Sequence, residues 1–88
     1  MSRLIIETYW TKVEPAPTGK PWPMKPIHGE YELKNTVSYP VENALTMKDQ
    51  IKRSRTLRGF QGVFDGKIKM DLGRSYGIHS YQLVYLDN

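Results

Sequence analysis

Lys48, Lys52 and Arg55 stand at i, i+4 and i+7 of one stretch, the spacing that stacks side chains into a single stripe along an α-helix. Arg53, Arg58, Lys67, Lys69 and Arg74 complete a run of cations ending before residue 75, and Phe60 and Phe64 lie among them. Cations meet phosphates or carboxylates, and aromatic faces stack on unpaired bases. These ten residues are therefore the candidate partner-binding set, and the partner they suit is an acidic protein surface or a nucleic acid. No RNP-type aromatic motif, zinc-finger spacing or helix-turn-helix pattern accompanies them. Such a stripe also serves as an ordinary solvated helix face, with the two phenylalanines in the core.

The charge is regional. From Lys48 to Arg74 there are eight basic and three acidic residues, whereas the rest of the chain has five basic and six acidic, so the whole surplus behind the net +4 lies in this stretch.

Other chemistry has less support. His28 and His79 are the only histidines and fall in neither an HxxxH nor an HExxH pattern; with no cysteine, neither a metal site nor a disulfide is expected, and no cofactor. His79 has an acid–base option beside Tyr76, Tyr81 or Arg74. Gly73-Arg74-Ser75-Tyr76-Gly77 offers backbone N–H groups and a guanidinium to a phosphate, but without Walker spacing. Glu30 and Glu32 are the closest pair of carboxylates, and both face solvent on a strand. Ser80-Tyr81-Gln82-Leu83-Val84-Tyr85 is similar to the last strand of small ribonuclease toxins. The likeness extends over six residues, lacks the helical pair those toxins place first, and identifies no family.

The elements that must position these residues follow from local pattern. Arg3 to Val13, rich in Ile, Tyr, Trp, Thr and Val, reads as a strand. Residues 14–27 hold five prolines, which fix φ and remove donors, so an extended backbone is expected there. Trp22 within it either clamps onto the domain's own core or forms part of an arm presented to a partner. Glu30 to Tyr39 alternates, with Tyr31, Leu33, Val37 and Tyr39 on one face; Asn35 falls on that same face or, alternatively, marks a turn or bulge. Thr46 and Asp49 form a capping box for a helix, with an alternative start at Asn43, and Gly59 is placed as its left-handed stop. Asp65-Gly66 between apolar flanks predicts a type I′ hairpin. That turn pairs Val63 with Ile68 and Gln61 with Met70 on one face, and Phe64 with Lys67, Gly62 with Lys69 and Phe60 with Asp71 on the other. Gly73 to Gly77 reads as a loop, and His79 to Leu86 as a last strand, apolar on both faces near its end and so internal to the sheet.

Together these features predict one α+β domain spanning residues 1–88: a small, mostly antiparallel sheet of four to five strands, one short basic helix and a Pro-rich extended segment. The expected function is a non-enzymatic binding or regulatory protein acting through a basic helix–hairpin surface, in the manner of an inhibitor of a larger complex. A small metal-independent nuclease and an assembly subunit gripping neighbours with its proline arm are the alternatives. No stretch approaches the length of a membrane span and no signal-peptide core is present, so the expected location is the cytoplasm, or a host-cell cytoplasm for a virus-encoded chain.

Overall fold

The computed structural model describes residues 2–14, 25–41 and 46–87. Five strands and one helix follow in chain order: β1 (Ser2–Glu14), β2 (Lys25–Val41), α1 (Met47–Ser54), β3 (Phe60–Phe64), β4 (Lys67–Ser75) and β5 (Ile78–Asp87). All pairings are antiparallel, in the order β2-β1-β5-β4-β3. Strand accounts for 75% and helix for 11% of the described residues, which corrects the α+β expectation: this is a mostly-β protein carrying one helix of eight residues. The strands run longer than their apolar cores implied. β4 continues through Gly73 to Ser75, and the expected loop at 73–77 shrinks to a two-residue turn at Tyr76 (φ 53) and Gly77 (φ 79). Positive φ at both central residues makes it type I′, like the Asp65-Gly66 turn (φ 50 and 74) that the sequence predicted.

β5 is central, flanked by β1 and β4, as its two apolar faces implied. β2 is an edge strand, which is why it tolerates Pro26 and Pro40, residues that cannot donate to a ladder on both sides. Glu14 thus belongs to β1 and Lys25 to Ile27 to β2, while residues 15–24 of the proline segment, Trp22 included, lie outside the described residues, as does the alternative helix start at Asn43.

Register creates the core. Val37, Ile6, Val84, Ile68 and Val63 stand opposite one another across all five strands, a β-branched row on one face. Ile68 is fully buried and Val84 nearly so. β2 and β3 occupy opposite edges of the sheet, and α1 lies between them in the chain. The helix turns Met47, Gln50, Ile51 and the buried Ser54 inward, spaced i, i+3, i+4 and i+7.

Two bulges overturn the expected faces. In β2 the register shifts beside Asn35: Leu33 pairs with Tyr9 but Asn35 with Thr8, leaving Lys34 unpaired. Tyr31 and Leu33 therefore lie on one face and Val37 and Tyr39 on the other, because an extra residue reverses alternation beyond it. In β3 the shift falls between Phe60 and Gly62, so Phe60 pairs with Met70 instead of Asp71 and joins the aliphatic face, with Gln61 bulged. Gly59 does not cap the helix either. The helix stops at Ser54 with Arg55 as its C-cap, and Gly59 (φ 96) instead lets the chain approach β4, where Asp71 N–H donates to the Gly59 carbonyl at 2.7 Å. Among the described residues no helix is long and apolar enough to cross a membrane.

Candidate functional site: a cationic helix and a polar sheet face

Helix α1 owes its start to the reciprocal cap read from the sequence. The Thr46 hydroxyl accepts from Asp49 N–H at 3.2 Å, while the Asp49 carboxylate accepts from Thr46 N–H at 3.2 Å and from its hydroxyl at 2.8 Å. Those bonds hold the Asp49 carboxyl below its ordinary value. At the other end Thr56 Oγ1 donates to the Arg53 carbonyl at 2.8 Å, satisfying one terminal acceptor. The helix exposes Lys48, Lys52 and Arg55, which with Ile51 line a shallow depression. Arg53 and Arg58 are exposed too, and among the described residues none of these five cations forms a salt bridge.

The hairpin half of the expected surface is arranged differently. Lys67, Lys69 and Phe64 project from the face opposite the β-branched row, whereas Phe60 stands on the row's side. Lys67 lies 4.5 Å from the Tyr85 ring centre and 3.8 Å from Glu7; Lys69 lies 4.7 Å from the Tyr81 ring centre and 5.9 Å from that of Phe64. Both ammonium groups are thus engaged within the protein. Arg74 stands opposite His79 at the far end of the sheet. Phe60 and Phe64 therefore lie on opposite faces of the sheet.

What the sequence reading missed is the network on this polar face. Tyr9 and Tyr85 donate their hydroxyls to the two oxygens of Glu7, at 3.2 and 3.1 Å, and burial followed by these bonds to the carboxylate raises both phenol pKa values. Tyr81 stacks on Tyr9 with ring centres 5.1 Å apart and meets Tyr31 edge-on at 4.9 Å; its pKa too is raised, by burial first. Beside them His79 is held on three sides. The buried Thr11 hydroxyl accepts its backbone N–H and donates to its carbonyl, both at 3.1 Å. Its Nε2 bonds the Asp71 carboxylate, and its Nδ1 lies 2.7 Å from the Tyr31 hydroxyl. An ionised carboxylate only accepts, so Nε2 carries a proton; Nδ1 accepts from the Tyr31 hydroxyl when the ring is neutral and donates to it when the ring is charged. The result is an Asp71–His79–Tyr31 relay reaching from β4 to the edge strand β2.

Of the neighbours expected for His79, Arg74 pairs with it across β4 and β5 and the Tyr81 ring lies 6.5 Å from its own, whereas its hydrogen-bond partners Tyr31 and Asp71 are not among those the sequence indicates. The turn at Tyr76-Gly77 does not reveal Asp71: simple alternation back from it pairs Asp71 with Gln82 on the face away from His79, and only the register shift at Leu72 sets Asp71 opposite Tyr81, on the face of His79. Tyr31 could not be reached that way, because it depends on the pairing of β2.

The hydrogen bond from His79, aided by Gly73 N–H, holds the Asp71 carboxyl below its ordinary 3.8 despite partial desolvation. A depressed folded-state pKa contributes stability above the unfolded value that is lost as pH falls through the folded one. Asp71→Asn should therefore lower the melting temperature at neutral pH and converge with wild type below the carboxylate range. A gap that stays constant from about pH 7 to about pH 2 would remove His79 as the cause.

Among the described residues no group of three or more His, Cys, Asp or Glu side chains is gathered as for a metal ion. No protein-family model, curated protein or solved structure matches this chain.

Proposed function

We propose that this chain is a small non-enzymatic binding or regulatory protein of the cytoplasm or host-cell cytoplasm that docks an acidic protein surface through helix α1. The observation that supports this is the exposed trio of Lys48, Lys52 and Arg55 flanking the partly buried Ile51, with none of the three in a salt bridge among the described residues. Exposed Leu57, just beyond the helix, adds to the apolar part of the surface. A surface mixing cations with aliphatic groups complements an acidic protein patch better than a phosphate backbone, which offers nothing apolar. The tyrosine face is a poor track for single-stranded nucleic acid, since Glu7 and Asp71 place negative charge in its midst.

Replacing Lys48, Lys52 and Arg55 together with glutamine keeps helix propensity while removing three charges. Folding should be retained, and binding to polyglutamate should weaken, mainly through a slower association whose deficit shrinks at high salt. Single- and double-stranded oligonucleotides of matched charge provide the contrast. Tighter binding to these, with a log affinity against log salt slope that the triple variant flattens by about two to three, would make the partner a nucleic acid. Unchanged binding of polyglutamate by the triple variant would reduce the stripe to a solvated face.

The Asp71–His79–Tyr31 relay favours a second reading, a metal-independent nuclease in which His79 exchanges a proton with Tyr31 beside Lys69 and Arg74. On that reading, RNA incubated with the protein and a chelator is cleaved, and His79→Ala abolishes cleavage while leaving oligonucleotide binding in place. Intact RNA after prolonged incubation with wild type would end it.

A further inference from the structure

Strand β3 is shorter than the strand it borders. Its pairing with β4 covers Lys67 to Met70, and Gly59 bonds Asp71, so beyond that point the outer edge of β4 has no partner strand among the described residues. Leu72, Arg74 and Ser75 are exposed there. The hydrogen-bonding direction of this edge follows from the neighbouring turn. Ser75 and Ile78 flank a two-residue type I′ turn and so exchange hydrogen bonds with each other; Arg74, one step back, aims its N–H and C=O away from β5. Gly73 N–H is already taken by the Asp71 carboxylate. Immediately beside this edge, on the face of Gly73 and Ser75, lies a concavity of about 280 Å³ lined by Trp10, Leu72, Ile78 and Ser80 as well as Arg74. Trp10 and Leu72 are 45% and 50% exposed, a large apolar surface to leave in water next to an open strand edge. Arg74 forms no salt bridge among the described residues, and neither does Arg58, the neighbour of Gly59 at the start of the open edge.

We propose that the outer edge of β4 at Leu72–Ser75 is a strand-addition site for an extended acidic segment of a partner protein, which seats apolar side chains in the concavity beside Trp10. One residue of that segment exchanges both backbone hydrogen bonds with Arg74. Its side chain falls on the same face as that of Arg74, where a carboxylate is complemented, and its two neighbours project to the other face, over Trp10, Leu72 and Ile78. The pattern recognised is therefore apolar–acidic–apolar. This rests on the reading that the partner is an acidic protein, but places a distinct contact on β4, away from the helix stripe.

The test uses a blocked, fluorescently labelled peptide, Glu-Leu-Glu-Phe-Glu, titrated with the full-length protein and followed by anisotropy. Wild type should bind it saturably. N-methylation of the central glutamate, which removes the donated hydrogen bond, should weaken binding about tenfold. Arg74→Glu and Trp10→Ala should each weaken it about tenfold or more, with melting curves confirming that both variants fold. The Lys48/Lys52/Arg55 glutamine variant should bind the peptide within about threefold of wild type. Binding that survives N-methylation and Arg74→Glu but is lost in the helix variant would overturn the strand-edge site while leaving the helix reading intact. No binding by wild type at millimolar protein would overturn the site outright, and polyglutamate binding would then decide the helix reading separately.

Discussion

Ile68→Ala is expected to lower the unfolding free energy by about 3 to 4 kcal/mol, a large share of what so small a domain has in hand. Ile68 has 0% exposure and sits in the β-branched row that crosses all five strands, between Val63 and Val84. Truncation removes three carbons from a fully buried site with strands on both sides, so the surrounding side chains have little freedom to collapse into the space. Val63→Ala in the same row is the internal control. Val63 lies on the edge strand and is 40% exposed, so its truncation leaves no sealed cavity and should cost about 1 kcal/mol or less. Urea denaturation of both variants checks the pair. If Ile68→Ala costs no more than Val63→Ala, the centre of the row is not the core.

Gly59→Ala is the second large effect, about 3 kcal/mol, and its cause is backbone geometry more than packing. At φ 96 an L-residue is strained, and a Cβ built on Gly59 would lie 2.5 Å from the carbonyl oxygen of Asp71. That oxygen belongs to the β4 backbone and cannot rotate aside, and the same two residues are joined by the 2.7 Å bond from Asp71 N–H to the Gly59 carbonyl. Gly66→Ala separates the two contributions. Gly66 shares the positive φ (74) but a Cβ there meets nothing within 4 Å, so only strain of about 1 kcal/mol is expected. Thermal melts showing equal losses for the two variants would mean that the close approach of Gly59 to β4 is not maintained in solution. Because Gly59 brings the exit of the helix against β4, Gly59→Ala should also loosen the register of β3 and, with it, the start of the open edge at Leu72.

Much of this fold is written locally. The Thr46–Asp49 cap, the Asp65-Gly66 turn, the strand character of β1 and the two apolar faces of β5 each depend on residues within a few positions of one another, and such signals survive in sequence because their physics is short-range. Part of the candidate site is legible for the same reason. Lys48, Lys52 and Arg55 share a helix face whatever the sheet does. Only the tertiary structure decided which face each strand residue occupies beyond a bulge. Lys34 and Gln61 each add one unpaired residue, a choice made by the partner strand, and each thereby sends Val37 or Phe60 to the face opposite the one simple alternation assigns. The same dependence on partners hid the Asp71–His79–Tyr31 relay, whose ends lie 40 residues apart in the chain and meet only because β2, β1, β5 and β4 align in one sheet. It also settled that Lys67 and Lys69 lie against tyrosine rings and, for Lys67, against Glu7, while the helix cations form no salt bridge among the described residues: charge is a property of the sequence, but what answers a charge depends on what the fold sets beside it.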